Sequence, residues 1–244
     1  MNEVFFTVIT INYNNSKGLK KTIESIIKQT HDDFEYIIID GASTDQSLSI
    51  LEQYQNQITT CISESDNGVY DAMNKGWRIA NGKFILFLNS GDVFADSHVL
   101  SNVFKTIDVS ADIVYGCHLW GDIHGERWNP KKDIKFRQIL NHTPISHQAT
   151  FIKKSQLEKV GGFNIKYKII ADWGVLVDSM LSHARLQKIS LDICIAEIAG
   201  ISNVSDYEVM KERNIYLKRH HFIPFFVNKY VVLPLLRLSK SVRN

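Results

Sequence analysis

Polar segments that carry carboxylates and amides follow four apolar stretches in the first half of the chain. These segments are residues 12–14, 40–43, 64–68 and 89–92. Their oxygen atoms suit a hard divalent cation, Mg²⁺ or Mn²⁺, which takes few ligands from protein and several from substrate phosphates. The sequence contains neither a Gly-x-x-x-x-Gly-Lys phosphate loop nor a Gly-x-Gly-x-x-Gly fingerprint, so P-loop and dinucleotide-binding proteins lose support. A cation held by one or two acids can still bind a diphosphate and offset the charge of a leaving group.

The elements that must position these segments are strands alternating with helices. Runs of β-branched and aromatic residues predict strands over 5–11, 34–39, 58–62, 84–88 and 113–115. Apolar residues at helical spacing separate these strands, which predicts βαβ units and an α/β fold with a mostly parallel sheet flanked by helices. Ligands of such sheets bind outside the carboxyl ends of the strands. We therefore expect the four polar segments to meet at one edge.

The second half of the chain is less regular. Glycines and turn residues over 117–128 predict a hairpin or a mobile loop. Residues 144–152 read as a strand, and a strongly amphipathic helix is predicted to begin at Asp172.

Composition excludes several classes of protein. The 244 residues are 44% hydrophobic and 22% charged, which is typical of a globular chain rather than a disordered or fibrous one. A net charge of +2 is too close to zero for nucleic acid to be the expected partner. Cys61, Cys117 and Cys194 lie far apart in the chain, so we expect buried, inert thiols in a reducing compartment rather than disulfides.

The two ends of the chain differ in charge. Residues 1–4 carry no basic region ahead of an apolar stretch, so a secretory signal is not expected, and no apolar run reaches the length of a membrane span. Residues 213–244 contain seven basic residues and no acid. Their mixture of basic, aromatic and aliphatic residues favours contact with an anionic membrane surface. Packing against the domain or against another subunit is the alternative.

Five motifs in order resemble the inverting glycosyltransferases of family 2, which have the GT-A fold. They occupy residues 8–14 together with 37–45, then 64–76, 87–92, 146–151 and 171–173. Segment 64–76 is similar to the subgroup that builds bacterial surface polysaccharides such as colanic acid and O-antigen. The resemblance covers about residues 5–185. Each motif is weak alone, and their order and spacing make the match specific.

The resemblance implies a reaction and a role for each matching residue. A sugar would pass from a UDP- or GDP-sugar to a hydroxyl group of a lipid-linked glycan, with inversion at the anomeric carbon. Asp172 would be the general base that takes the hydroxyl proton, and Asp92 would bind Mg²⁺ or Mn²⁺. The other matching positions would bind the nucleotide sugar: Thr10, Ile11, Asn12, Asp40, Asp66, Asn74, Lys75, Ser90, Gly91 and His147.

The resemblance also implies a domain layout and a location. One GT-A domain would span residues 1–212, with a nucleotide-binding half over 1–95 and an acceptor-binding half over 96–212. A basic amphipathic tail over 213–244 would follow it. The enzyme would act in the cytoplasm at the inner face of the cell membrane, in lipopolysaccharide or exopolysaccharide biosynthesis, and an oligomer is compatible with the sequence.

Segment 89–92 departs from the family pattern. Fuller members carry two or three acids there, and only Asp92 remains, so metal affinity would depend on the phosphates of the donor. The lost acids leave open a catalytically silent module that binds nucleotide sugars. A sugar nucleotidyltransferase is a further alternative.

Several of the singled-out residues also have purely structural interpretations. Asp172 could cap its helix, and Trp173 is expected in the core rather than against an acceptor sugar. His147 could be a hydrogen-bonded core histidine or face the diphosphate. Asp71 and Lys75 are four residues apart and could form a surface ion pair. The His220-His221 pair is expected to be solvated rather than metal-binding.

Overall fold

A mixed sheet of nine strands organises the part of the chain that the computed structural model describes, which is residues 4–122, 124–141, 144–197 and 205–220. The strands are β1 Phe6–Asn12, β2 Phe34–Asp40, β3 Thr60–Ser63, β4 Phe84–Phe87, β5 Val93–Phe94, β6 Ile113–Trp120, β7 Arg127–Trp128, β8 Thr150–Lys153 and β9 Leu186–Ala196. The helices are α1 Ser16–Ile26, α2 Ser47–Gln53, α3 Val69–Ile79, α4 Val99–Thr106, α5 Phe136–Asn141, α6 Lys154–Val160, α7 Ala171–Leu181 and α8 Asp206–Arg219. The strand order is β3-β2-β1-β4-β8-β6-β9-β5, and β7 pairs with β6.

The first half of the sheet is parallel. Strand β1 pairs with β2 and β4, and β2 pairs with β3, all in parallel register. Asn12 lies opposite Asp40, and Asp40 lies opposite Ser63. Three strands thus end side by side, and the polar segments that follow them begin at one edge of the sheet.

The second half of the sheet is built around a reversed strand. Strand β8 lies between β4 and β6 and is antiparallel to both, whereas β6 and β9 are parallel. The strand predicted over 144–152 is shorter than expected, because a 3₁₀ turn over His147–Ala149 precedes β8. Of the two alternatives predicted for 117–128, a hairpin or a mobile loop, the structure has the hairpin, in which β7 pairs with β6.

Two hydrophobic clusters cover the two faces of the sheet. Side chains alternate between faces along a strand, so Ile9 and Ile11 pack with residues of α3 and α7. Phe6 and Val8 pack on the opposite face with residues of α1 and α4. The central strands are buried on both faces, which explains why their sequences read as continuous apolar runs.

Buried and exposed positions agree with most structural interpretations. Trp173 is in the core, 1% exposed, and its Nε1 donates to the carbonyl of Ile139 at 2.6 Å. Cys117 and Cys194 are buried free thiols, but Cys61 is exposed, so the expectation of burial is wrong for it. Residue 61 is on β3, which lies at the edge of the sheet.

The predicted tail begins inside a helix. Helix α8 runs through position 213, and its N-cap Ser205 forms a capping box with Glu208. Tyr216 packs in the core, and its hydroxyl donates to Asp178 of α7. Residues 221–244, which include His221 and most of the predicted tail, lie outside the described residues. No helix in the described ranges has both the length and the apolar character to cross a membrane.

Candidate active site

A cavity of about 760 Å³ opens at the carboxyl edge of the parallel strands. The four polar segments all contribute to its wall, through Tyr13, Gly41, Asp66 and Asp92 among others. The prediction that these segments meet at one edge is therefore confirmed. At the other end the wall comes from the second half of the chain: Trp120, His147, Gln148 and Glu197.

A closed polar network lies beneath the cavity and is centred on Asp40. Its Oδ1 accepts from Asn12 Nδ2 at 2.7 Å and from Ser43 Oγ at 2.6 Å. Its Oδ2 accepts from the backbone N–H of Ser43 at 2.9 Å and from Ser63 Oγ at 2.7 Å. Burial alone would raise the pKa of Asp40, but these hydrogen bonds hold it below its ordinary value. Asp40 and Asn12 are not among the residues that line the cavity, and they hold its floor together.

Three more of the predicted binding residues stand behind the wall. Thr10 is buried and donates to the carbonyl of Leu88 at 2.9 Å. The Asn74 amide donates to the carbonyl of Phe163 at 2.7 Å. Lys75 pairs with Glu64 at 2.7 Å rather than with Asp71, and it also donates to the carbonyl of Ser65 at 2.9 Å. Lys75 thus fastens the segment after β3.

The end of the cavity around Gly41 has an aromatic ring and a carboxylate. Tyr13 is 67% exposed at the rim. Asp66 accepts from the backbone N–H of Gly68 through Oδ1 at 2.8 Å, and its Oδ2 faces Gly41. Ile11 also lines this end. The arrangement offers a flat apolar surface beside a hydrogen-bond acceptor.

The middle of the cavity holds Asp92. Gly91, at φ +106°, turns the backbone ahead of it, a conformation that favours glycine. Ser90 lines the cavity and donates to Asn12 Oδ1 at 2.7 Å. Asp92 is only 6% exposed and accepts from the backbone N–H of Glu197 at 2.9 Å. Burial, with the nearby Glu197 carboxylate adding to it, raises the pKa of Asp92 to about 6.

Oxygen atoms surround Asp92. The carboxylate of Glu197 lies against Gly91, and the buried Asn89 Oδ1 has no hydrogen-bond partner among the described residues. Nowhere in the described ranges do three or more His, Cys, Asp or Glu side chains gather in a set that could hold a metal ion. A cation here would need further ligands from a bound phosphate.

His147, in the wall of the cavity, pairs with Asp172, which does not itself line that cavity. The Nδ1 atom of His147 lies 3.1 Å from Asp172 Oδ2. The hydroxyl of Tyr70 and the backbone N–H of Trp173 donate to Asp172 Oδ1 at 3.0 and 2.8 Å. Asp172 lies in the first turn of α7, where the helix dipole stabilises a carboxylate. The structure thus brings together two predicted residues, 25 positions apart in the sequence.

An aromatic cluster lies near His147. Trp120 lines the cavity, and His118 packs edge-on against it with the ring centroids 4.8 Å apart. His118 is 3% exposed, and neither of its ring nitrogens has a partner among the described residues. Burial and the neighbouring His147 lower the pKa of His118 to about 4, so the ring is neutral at pH 7.

Ten lining residues are not among the predicted site residues: Tyr13, Asn15, Gly41, Ser65, Gly68, Val69, Asn89, Trp120, Gln148 and Glu197. Asn89 and Gln148 lie within motifs that were recognised, so their positions offered a signal. Trp120 and Glu197 stand at the ends of β6 and β9, and these parallel strands are paired across about seventy residues of sequence. No local pattern marks that pairing.

Comparison with known sequences identifies relatives of this chain. Glycosyl transferase family 2 matches over residues 7–170. A PGL/p-HBAD biosynthesis glycosyltransferase of Mycobacterium bovis is 30% identical over 215 residues, which cover 84% of this chain and 82% of that protein.

Solved structures share the fold at lower identity. TarS of S. aureus superposes with a TM-score of 0.70 at 23% identity, covering 87% of this chain but 39% of that one. TarS 1–349 in complex with UDP-GlcNAc gives 0.66 at 21% identity, covering 87% of this chain and 66% of that one. The mannosyltransferase PcManGT of Pyrobaculum calidifontis, in complex with GDP-Man and Mn²⁺, gives 0.63 at 17% identity, covering 98% and 64%. The expected α/β fold of the GT-A type is thereby confirmed.

Proposed function

This chain belongs to glycosyltransferase family 2, and we propose that it transfers a sugar from a UDP- or GDP-sugar to a hydroxyl group of a glycan, with inversion at the anomeric carbon. The observation that carries the proposal is the cavity that Asp66, Asp92 and His147 line together, with Asp172 hydrogen-bonded to His147. The three groups match the three parts of a nucleotide-sugar reaction: nucleoside, diphosphate and acceptor.

We assign the nucleoside to the Tyr13 end. The exposed ring of Tyr13 offers a stacking surface for the base. Asp66 Oδ2 can accept from a ribose hydroxyl or from a pyrimidine N–H, because Oδ1 already accepts from Gly68. Complexes with UDP-GlcNAc and with GDP-Man, known for proteins of the same fold, are the reason for considering both nucleotides.

We assign Mg²⁺ or Mn²⁺ to Asp92. The residues around it fit such an ion, since they present oxygen ligands, including the carboxylate of Glu197 and the unpartnered Asn89 Oδ1. Asp92 would hold the ion together with the donor's phosphates. When bound, the ion supplies positive charge that stabilises the departing nucleoside diphosphate. The Mn²⁺ in the PcManGT complex is consistent with this assignment.

Deprotonation of the acceptor hydroxyl is assigned to Asp172 together with its hydrogen-bonded neighbour His147. His147 lines the same cavity as Tyr13, Asp66 and Asp92, and Asp172 Oδ2 lies 3.1 Å from its Nδ1 atom. An inverting transfer needs its base on the side of the anomeric carbon opposite the leaving diphosphate, and we assign the pair to that side. Attack from that side inverts the anomeric configuration, and one base suffices for a single displacement.

The acceptor is proposed to be a lipid-linked glycan of the bacterial cell envelope. The mycobacterial relative is named for PGL/p-HBAD biosynthesis, which supports a glycoconjugate acceptor. In the proposed layout, residues 1–95 bind the nucleotide and 96–212 the acceptor. The basic residues that follow α8, which are Lys229, Arg237, Lys240 and Arg243, would hold the enzyme at the cytoplasmic face of the membrane.

The decisive experiment is donor turnover with purified protein. UDP- and GDP-sugars are screened for thermal stabilisation, and the best donor is assayed with glycan acceptors for release of UDP or GDP. The product's anomeric configuration is read by NMR. We expect Asp172→Asn to lower kcat by about 100-fold or more. The matched control is Asp178→Asn on the same helix, which should leave kcat within about twofold.

The other outcomes separate the alternatives. Donor binding without transfer to any acceptor would contradict the proposal and favour a binding module. Pyrophosphate release from a nucleoside triphosphate would identify a nucleotidyltransferase. Removal of residues 222–244 tests membrane contact separately: the truncated protein should leave the membrane fraction, and unchanged fractionation would rule that role out.

A further inference from the structure

His147 stands between Asp172 and the large cavity. Its ring lines that cavity, and it also lines a small apolar cavity that contains Asp172. Asp172 is not among the residues that line the large cavity. A hydroxyl group that enters beside a bound sugar would therefore meet the imidazole before it meets the carboxylate.

The carboxylate of Asp172 is already engaged on both oxygens. Oδ1 accepts from Tyr70 and Trp173, and Oδ2 lies 3.1 Å from His147 Nδ1. Burial would raise the pKa of Asp172, but its hydrogen bonds with His147, Trp173 and Tyr70 hold it below the ordinary value. A carboxylate that is hydrogen-bonded in this way and has a lowered pKa is a weak proton acceptor.

The opposite ring nitrogen of His147 is available to accept a hydrogen bond. Its Nε2 is buried and has no hydrogen-bond partner among the described residues. A neutral imidazole whose Nδ1–H donates to a carboxylate presents Nε2 as an acceptor. The charged and titratable groups near the ring are Asp172, Asp92 and His118, and Tyr70 reaches the same carboxylate from α3.

Within the proposed transferase function, on which this inference rests, we propose that Nε2 of His147 is the atom that receives the acceptor's proton. Asp172 is then the positioning residue that holds the Nδ1–H tautomer and stabilises the imidazolium that forms. As the acceptor oxygen bonds to the anomeric carbon, the bond from that carbon to the donor's phosphate oxygen breaks. The electron pair leaves with the nucleoside diphosphate, and the hydroxyl proton moves to Nε2.

Two substitutions separate this role from simple positioning of Asp172. The amide nitrogen of Asn lies near the place of Nδ1, so His147→Asn keeps a donor toward Asp172 but has no acceptor at the Nε2 position. The amide of Gln reaches toward the Nε2 position instead. We expect both variants to lose about 100-fold or more in kcat, with the donor's Kd within about threefold of wild type and an unchanged melting temperature.

The same measurements can overturn the proposal. Near-wild-type kcat in His147→Asn would show that His147 only positions Asp172. Donor affinity lowered at least tenfold, with kcat nearly unchanged, would make His147 a diphosphate ligand. Sugar transfer by the wild-type enzyme is measured first, so a failure of the proposed function is recognised before the variants are compared.

A spectroscopic test does not depend on turnover. Ring ¹⁵N chemical shifts of His147, recorded at alkaline pH, report which nitrogen carries the proton. We expect the Nδ1–H tautomer in the wild type. In Asp172→Asn the amide can donate to Nδ1, so the proton should move to Nε2. An Nε2–H tautomer in the wild-type protein would leave Nε2 unable to accept the hydroxyl proton and would overturn the proposal.

Discussion

Buried polar groups beneath the Tyr13 end of the cavity have hydrogen-bond partners within the chain, whereas some of those in the rest of its wall do not. Beneath the Tyr13 end, both oxygens of Asp40 accept hydrogen bonds from within the chain. In the rest of the wall, Asn89 Oδ1 and His147 Nε2 are buried without partners among the described residues. A buried polar atom without a partner costs free energy. The closed network is therefore read as support for the floor, and the open atoms as places for ligand atoms.

The largest effect is expected from a substitution that removes the centre of the Asp40 hydrogen-bond network. Asp40→Ala would remove the buried acceptor of Ser43 and Ser63 and one of the acceptors of Asn12, and we expect the free energy of unfolding to fall by about 4 kcal/mol. Urea denaturation measures it. Asp66→Ala is the comparison, since Asp66 lines the cavity, and it should cost less than about 1 kcal/mol. Equal losses of stability in the two variants would contradict the interpretation that Asp40 supports the fold and Asp66 binds a ligand.

The next effect concerns Asp92 in the metal-free protein. Its folded-state pKa of about 6 lies above the usual 3.8, so the folded state binds this proton more tightly than the unfolded state does. Stability should therefore decrease as pH rises from about 4 to about 6, by up to about 3 kcal/mol.

Substitution of Asp92 isolates that contribution. Asp92→Asn should be more stable than the wild type at pH 8 and no more stable at pH 3, while metal-dependent donor binding is lost. Thermal unfolding across pH, with calorimetry of donor and Mn²⁺, measures both. A variant less stable than the wild type at pH 8 would show that the ionised Asp92 carboxylate does not destabilise the metal-free protein.

A smaller effect is expected at the nucleoside. Asp66→Ala should weaken donor binding by about tenfold, or about 1.4 kcal/mol, because one hydrogen bond to the nucleoside is lost. Isothermal titration calorimetry reads the change. Asp71→Ala serves as a control from the neighbouring helix. An equal loss in that variant would indicate a general disturbance of the segment rather than a contact with the donor.

The smallest effect is expected from the loss of the hydrogen bond that Tyr70 donates to Asp172. Tyr70→Phe removes one hydrogen bond to the carboxylate, so kcat should fall by about threefold to tenfold, or about 1 kcal/mol. Tyr36→Phe is a matched control, since that hydroxyl is buried but bonds to Thr10. Steady-state kinetics should find KM for the donor unchanged in Tyr70→Phe. A loss of the same size in Tyr36→Phe would assign the effect to general packing.

The sequence predicts that the four polar segments meet at one edge of the sheet, because that placement follows a local rule. Each polar segment comes directly after a strand, and parallel strands deliver their carboxyl ends to the same edge. The rule could not separate Asp40 from Asp66, since both follow a strand. One is buried and saturated and the other lines the cavity, a difference set by Ser43, Ser63 and the other neighbours that surround each carboxylate.

The end of the cavity formed by the second half of the chain depends on long-range pairing and was predicted only through the family resemblance. Trp120 and Glu197 reach the cavity because β6 pairs with β9. Their joint position has no signature in either segment. The motifs marked His147 and Asp172 as functional, but the contact between them follows from how α7 packs beside β8. Periodicity does not specify that packing.

The reversed direction of β8 has a consequence for how such enzymes can diversify. Because this strand runs against β4 and β6, its beginning arrives at the edge where its neighbours end. His147 is therefore held close to the centre of the sheet. Phe151, four residues later, pairs with Leu86 on one side and with Val114 on the other. Loops that select different sugars or acceptors can be exchanged around the imidazole while its own anchorage in the sheet stays intact.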